Sequence, residues 1–157
     1  MSHVVEIETE VRDLNAVKAA CKRLGLEFVE GKTNYVWYGR HMGDYPLPKG
    51  VSQEDLGKCS HVVRVPGVRY ELGLVRNPAT NGYKLAFDFY GQGNLHDGRK
   101  LQKAICNQNK DGTYDKKCGK FLQAYGAEFA KMQMRARGYM VQEKKVGDTI
   151  RLTVTGV

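Results

Sequence analysis

The chain has 157 residues, 41% of them hydrophobic and 27% charged, the proportions of a globular domain with a real core. No apolar run approaches the roughly 20 residues that span a bilayer, and the opening MSHVVEIETE lacks the basic and apolar regions of a secretory signal, so the reading is an intracellular (cytoplasmic) protein with no membrane partner. A net charge of +8 and a pI of about 9.3 favour anionic partners such as nucleotides or nucleic acid.

Taken in chain order, Val4–Val11 alternates, with Val5, Ile7 and Thr9 on one side and mostly acids on the other, which predicts a strand with one solvated face. Asp13 is a helix N-cap, Leu14, Val17, Cys21 and Leu24 form one apolar stripe, and Gly25 stops the helix. Leu26–Val29 suits a short strand and Asn34–Gly39 a better one. Residues 40–58 hold two prolines and three glycines and read as a long loop, with room for one helical turn around Gln53–Leu56. His61–Val65 is a strand, and a tight turn at Pro66–Gly67 would pair Val63 with Tyr70.

A hairpin follows. Closing it on Asn77–Gly82 pairs Arg76–Tyr83, Leu74–Leu85, Leu72–Phe87 and Tyr70–Phe89 on one face. The other face receives Val75–Lys84, Gly73–Ala86, Glu71–Asp88 and Arg69–Tyr90. Beyond Gly91, Arg99–Cys106 is a short helix, 107–119 is polar and turn-rich, and Lys120–Arg137 is the longest helix. Tyr139–Lys144 and Thr149–Val154 make a last hairpin. The order strand, helix, meander, helix, hairpin predicts one α+β domain over 1–157, an antiparallel sheet with helices packed on one face and long loops at 40–58 and 92–118.

Glu71 and Asp88 would face each other beside a floor of glycine and alanine. Like charges so placed need neutralising. Arg64, diagonal on the neighbouring strand, and Arg69, two residues away, make an ion-pair cluster the simplest account. Metal binding, acid–base catalysis or ligand recognition over the small floor are the alternatives. Tyr35 and Trp37 read as core, whereas Tyr38 faces the other way with Arg40, beside His41; an aromatic next to arginine can stack on a base and pair with phosphate. Arg99, Lys100, Lys103, Lys110, Lys116, Lys117 and Lys120 crowd one region. Gly91-Gln92-Gly93-Asn94 is half of a phosphate loop. The histidines, His3, His41, His61 and His96, share no motif. Cys21, Cys59, Cys106 and Cys118 are widely spaced, so reduced thiols are expected rather than zinc ligands. No metal and no cofactor is expected.

Three stretches carry a family resemblance: Met1-Ser2-His3, the hairpin Tyr70-Glu71-Leu72-Gly73-Leu74 with Tyr83–Tyr90, and Gly138-Tyr139-Met140-Val141 with Thr149-Ile150-Arg151-Leu152. Together they resemble the family named for hypothetical chloroplast open reading frame thirty-five, which has plastid, cyanobacterial, bacterial and phage members. Glu71, Asp88 and Gly73 fall at its acidic and glycine positions. Residues 40–58 and 92–118 are longer and more basic than the pattern, and Phe89-Tyr90 stands where it has Trp-Trp. The resemblance implies a fold class and no agreed activity.

The expected function is non-enzymatic binding of an anionic, nucleotide-type ligand by Tyr38, Arg40, His41, Arg64, Arg69, Glu71, Asp88, Tyr90, Arg99 and Lys100. One form is a phage protein that sequesters a nucleotide signal of host defence in the host cytoplasm. Alternatives are a nucleic-acid-binding protein, an adaptor docking on an ATPase or other protein complex, and a hydrolase using Glu71 and Asp88 with His3. A homo-oligomer formed through an edge strand fits the fold class, though nothing in the sequence specifies it.

Overall fold

The computed structural model describes residues 3–90 and 97–156. The expected half phosphate loop at Gly91–Asn94 and His96 lie outside the described residues. The fold is α+β. Strands β1 (Val4–Val11), β2 (Glu27–Glu30), β3 (His61–Arg64), β4 (Glu71–Arg76) and β5 (Tyr83–Asp88) form one sheet in the order β1-β5-β4-β3-β2, every neighbour antiparallel. Helices α1 (Leu14–Leu24), α2 (Asp97–Ile105) and α3 (Gly119–Ala136) contribute Val17, Leu101, Ile105 and Phe121 to a core with Leu72, Leu74, Leu85 and Phe87 of the sheet. A separate ribbon, β6 (Met140–Val146) with β7 (Thr149–Thr155), packs beside α3.

Local signals explain the elements. The Asp13 side chain accepts from the amide of Ala16 at 3.0 Å, capping α1, and Gly25 closes the helix at φ 71°, a left-handed conformation that costs glycine little. Tyr125 of α3 accepts from the amides of Arg12 (2.9 Å) and Asp13 (3.2 Å), pinning α3 to the start of α1. The β4–β5 ladder pairs Gly73 with Ala86, Leu74 with Leu85, Val75 with Lys84 and Arg76 with Tyr83, as the alternation requires.

Three expectations fail. In β1 the register shifts between Ile7 and Val11, so Thr9, expected on the inner side, is exposed, while Val4, expected on the solvated side, is buried. β3 pairs with β4 two residues further along than expected, Val63 against Leu72 and Arg64 against Glu71. The connection is wider than a tight hairpin because a turn from Val65 to Val68 is followed by Arg69, whose amide donates to Asp97 at 2.9 Å. A shift of two preserves the faces, so the core is unaffected while Arg64 moves from a diagonal position to one directly opposite Glu71. Residues 34–39 are not a strand: only an isolated bridge, Asn34 to Lys58, is formed. β2 is the edge strand instead, and 34–38 runs as a strap, bent at Trp37, over the side of the sheet away from the helices, where Tyr35 packs on Val62 and Ala86.

Candidate functional site

The strap accounts for the paired acids. Glu71 and Asp88 are buried, at 1% and 0% exposure. One Glu71 oxygen accepts from Lys32 Nζ (2.6 Å) and the Val36 amide (2.9 Å), and the other from Arg64 Nε (2.9 Å). The Glu71 amide donates back to the Val36 carbonyl at 3.0 Å. Asp88 accepts three amides, from His3 (2.9 Å), Tyr90 (3.0 Å) and Tyr38 (3.1 Å). The Val36 and Tyr38 amides thus each meet one of the two carboxylates, which hold the strap at two points. Burial acts to raise the Glu71 pKa, but the Lys32 and Arg64 hydrogen bonds and the Val36 amide outweigh it and hold the carboxyl below its ordinary value.

The small floor is occupied by the protein itself. A Cβ on Gly73 would collide with the Tyr35 ring. Tyr35 is 3% exposed and packs with Val62 and Ala86, with Trp37 against their edge. The imidazole of His3 engages Asp44 (3.0 Å) rather than Asp88, which it meets only through its backbone amide. The arrangement needed for a Glu71–Asp88–His3 hydrolase is therefore not formed: both acids are sealed from solvent and bonded to the chain's own donors.

Arg64 belongs to that buried cluster. Tyr38 is 41% exposed. Arg40, Arg69 and Lys100 are exposed and His41 is half-buried. Arg40, His41, Arg69 and Lys100 line none of three clefts found on the surface. Tyr90 and Arg99 do meet. Gly98 brings α2 so close to strand β5's exit that a Cβ there would strike the Tyr90 carbonyl, which sets Arg99 beside Tyr90.

These two residues line a cleft of about 740 Å³ with His3, Phe89, Tyr114, Lys116 and Lys117. Its aromatic wall is preassembled. His3 stands edge-on to Tyr90 (4.9 Å between centroids) and 5.4 Å from Phe89, and Tyr45 backs Phe89 at 5.2 Å. Lys116 Nζ lies 4.8 Å above the Phe89 ring, within cation–π range.

Lys116 and Lys117 belong to the basic tract 99–120, whose functional reading in the sequence is phosphate contact, but sequence reasoning assigns neither to a site with Tyr90 and does not single out Asp115 as the residue that places them. One Asp115 oxygen accepts the Asn107 amide (2.7 Å), the other those of Lys117 (2.8 Å) and Gly119 (3.2 Å). Partial burial acts to raise the Asp115 pKa, and these amides prevail and lower it. Gln102 adds bonds to the Tyr114 and Asp115 carbonyls. The available signal was an aspartate inside a basic, turn-rich tract.

A second cleft, about 780 Å³, lies on the other side of this loop between α2, α3 and the ribbon, with Lys103, Lys120 and Lys145 on its walls. The third, about 530 Å³, lies under the 40–58 loop and mixes Lys49, Lys58, Arg76 and Lys84 with Glu6 and Asp55. Among the described residues no cluster of three or more His, Cys, Asp or Glu could hold a metal ion, and no helix is long and apolar enough to cross a membrane. The four cysteines are unbridged, and burial pushes the Cys21 thiol up to about 12. No family model, curated protein or solved structure matches the chain.

Proposed function

We propose that the chain is a non-enzymatic binding protein for a nucleotide-type anion, held in the Tyr90–Arg99 cleft. The supporting observation is the juxtaposition, in one cleft, of Arg99, Lys116 and Lys117 with the His3–Phe89–Tyr90 aromatic wall. Guanidinium and ammonium groups supply charge-assisted bonds to phosphate, Arg99 in a bidentate fork and the lysines as point charges. The half-buried rings of the wall supply stacking surface for a base. The carboxylate of Asp115, also on the cleft's lining, accepts from three backbone amides, which fix the loop and offset part of its negative charge.

The finer form of this reading, a phage protein sequestering a nucleotide signal of host defence, rests on the resemblance of the hairpin and termini to the chloroplast open-reading-frame family and on the net charge of +8. Native mass spectrometry of protein purified from cells, with identification of released small molecules, tests the class of ligand. A co-purifying nucleotide that Arg99→Ala/Lys116→Ala no longer retains supports it. Clean apo protein with no thermal shift from a nucleotide panel refutes it.

A further inference from the structure

The β6–β7 ribbon has two unlike faces. Its ladder pairs Glu143 with Leu152 and Lys145 with Ile150 on one face, and Gln142 with Thr153, Lys144 with Arg151 and Val146 with Thr149 on the other. Glu143 turns inward, bonding Arg23 at 2.6 and 2.7 Å, and Lys131 lies 3.3 Å from the same carboxylate. Alternation then sends Lys144 and Arg151 outward, where both are exposed. Directly opposed like charges destabilise a strand pair, and a two-stranded ribbon is marginal on its own. Among the described residues neither cation has an ion-pair partner, and Arg135 and Arg137 at the end of α3 have none either. The cleft on the ribbon's inward face, with Lys103, Lys120, Lys145 and Asp148, is a separate surface.

We propose that the outward face of the β6–β7 ribbon is a docking surface for duplex DNA. A two-stranded ribbon fits the major groove of B-form DNA. The Lys144–Arg151 rung meets phosphates, and Gln142 and Thr153, on the adjacent rung, present hydrogen-bonding groups to base edges. The like-charge rung, unfavourable in the free protein, becomes favourable against a polyanion. This surface is separate from the Tyr90–Arg99 cleft and does not depend on what that cleft binds.

The test is fluorescence anisotropy of a labelled DNA duplex of about 20 base pairs, titrated with the full chain over a salt series, with site sizes of this order set by groove geometry. Lys144→Thr/Arg151→Thr is expected to weaken binding about tenfold or more at low salt. It should also flatten the slope of log K against log salt by about two, since each lost phosphate contact removes about 0.9. An equal charge removal on the opposite side, Lys49→Ala/Lys58→Ala, is expected to stay within about twofold of wild type if contact rather than net charge matters. Threonine favours strands, so the ribbon variant should melt no lower than wild type; Arg151→Lys, which keeps the charge, should retain binding. Equal losses in the two double variants would overturn the proposal, as would a wild-type protein that ignores duplex at low salt.

Discussion

The two charged regions of this molecule use charge in opposite ways. Glu71 and Asp88 are sealed under the strap, and their oxygens accept six hydrogen bonds from the chain itself. Arg99, Lys116 and Lys117 stand on an open cleft, and no carboxylate lies within ion-pair distance of them among the described residues. A buried charge whose partners are all internal fixes a conformation. A cluster of like charges with no carboxylate partner among the described residues, where Lys116 has only the Phe89 ring, gains from an anion brought from outside. The acids that look most like a catalytic pair in the sequence are therefore part of the fold, and the less conspicuous basic loop is the place to look for a ligand.

Four tests sharpen this contrast. The largest effect is expected from Asp88→Asn, which sets an amide NH₂ against at least one backbone donor and should cost about 3 kcal/mol, read as a lower urea midpoint. Trp37, the only tryptophan, sits in the strap, so its emission should shift to the red if the strap lifts before global unfolding. Next is Glu71→Gln, expected to cost about 2 kcal/mol, below the usual penalty for halving a buried ion pair because Lys32 and Arg64 are partly exposed. The Glu71 carboxyl titrates below its ordinary value in the folded state. Its contribution is thus present above the unfolded value of about 4.3 and is lost as pH falls through the folded one. Urea midpoints should fall less between pH 7 and pH 3 in Glu71→Gln than in wild type.

A third variant tests the strap's seat. Gly73→Ala should cost about 1–2 kcal/mol by overpacking against Tyr35. In a Tyr35→Ala background the same change should cost close to nothing, a coupling that a double-mutant cycle measures directly. The smallest stability effect belongs to Arg99→Ala/Lys116→Ala, expected within about 0.5 kcal/mol of wild type as exposed positions allow. That same variant should lose at least tenfold in nucleotide affinity by isothermal titration, about 1.4 kcal/mol. Loss of binding in Asp88→Asn with the strap intact and retention in the cleft variant would reverse the assignment.

Much of the fold was legible because it rests on local rules. Asp13 and Gly25 delimit α1 through capping, and alternation over 70–90 sets the β4–β5 register. The strap was not legible in the same way. Asn34–Gly39 has strand-like residues, but the Val36 and Tyr38 amides are taken by carboxylates rather than by a neighbouring strand, and sequence periodicity does not distinguish those partners. A clue was present all the same: a glycine–alanine rung beside two acids needs a large side chain to fill it, and Tyr35 was already assigned to core. The cleft was half legible. Tyr90 and Arg99 were named, but Lys116 and Lys117 depend on the Asp115 turn, a contact among residues eight or fewer positions apart whose geometry composition alone does not specify.

The most direct test is an amide-resolved NMR titration of the ¹⁵N-labelled protein with ATP as the probe. The account predicts saturable shifts at Tyr90, Arg99, Tyr114, Lys116 and Lys117, with the amides of Val36, Tyr38 and Glu71 unmoved. Shifts centred on the strap amides, or none at millimolar ATP, would contradict it.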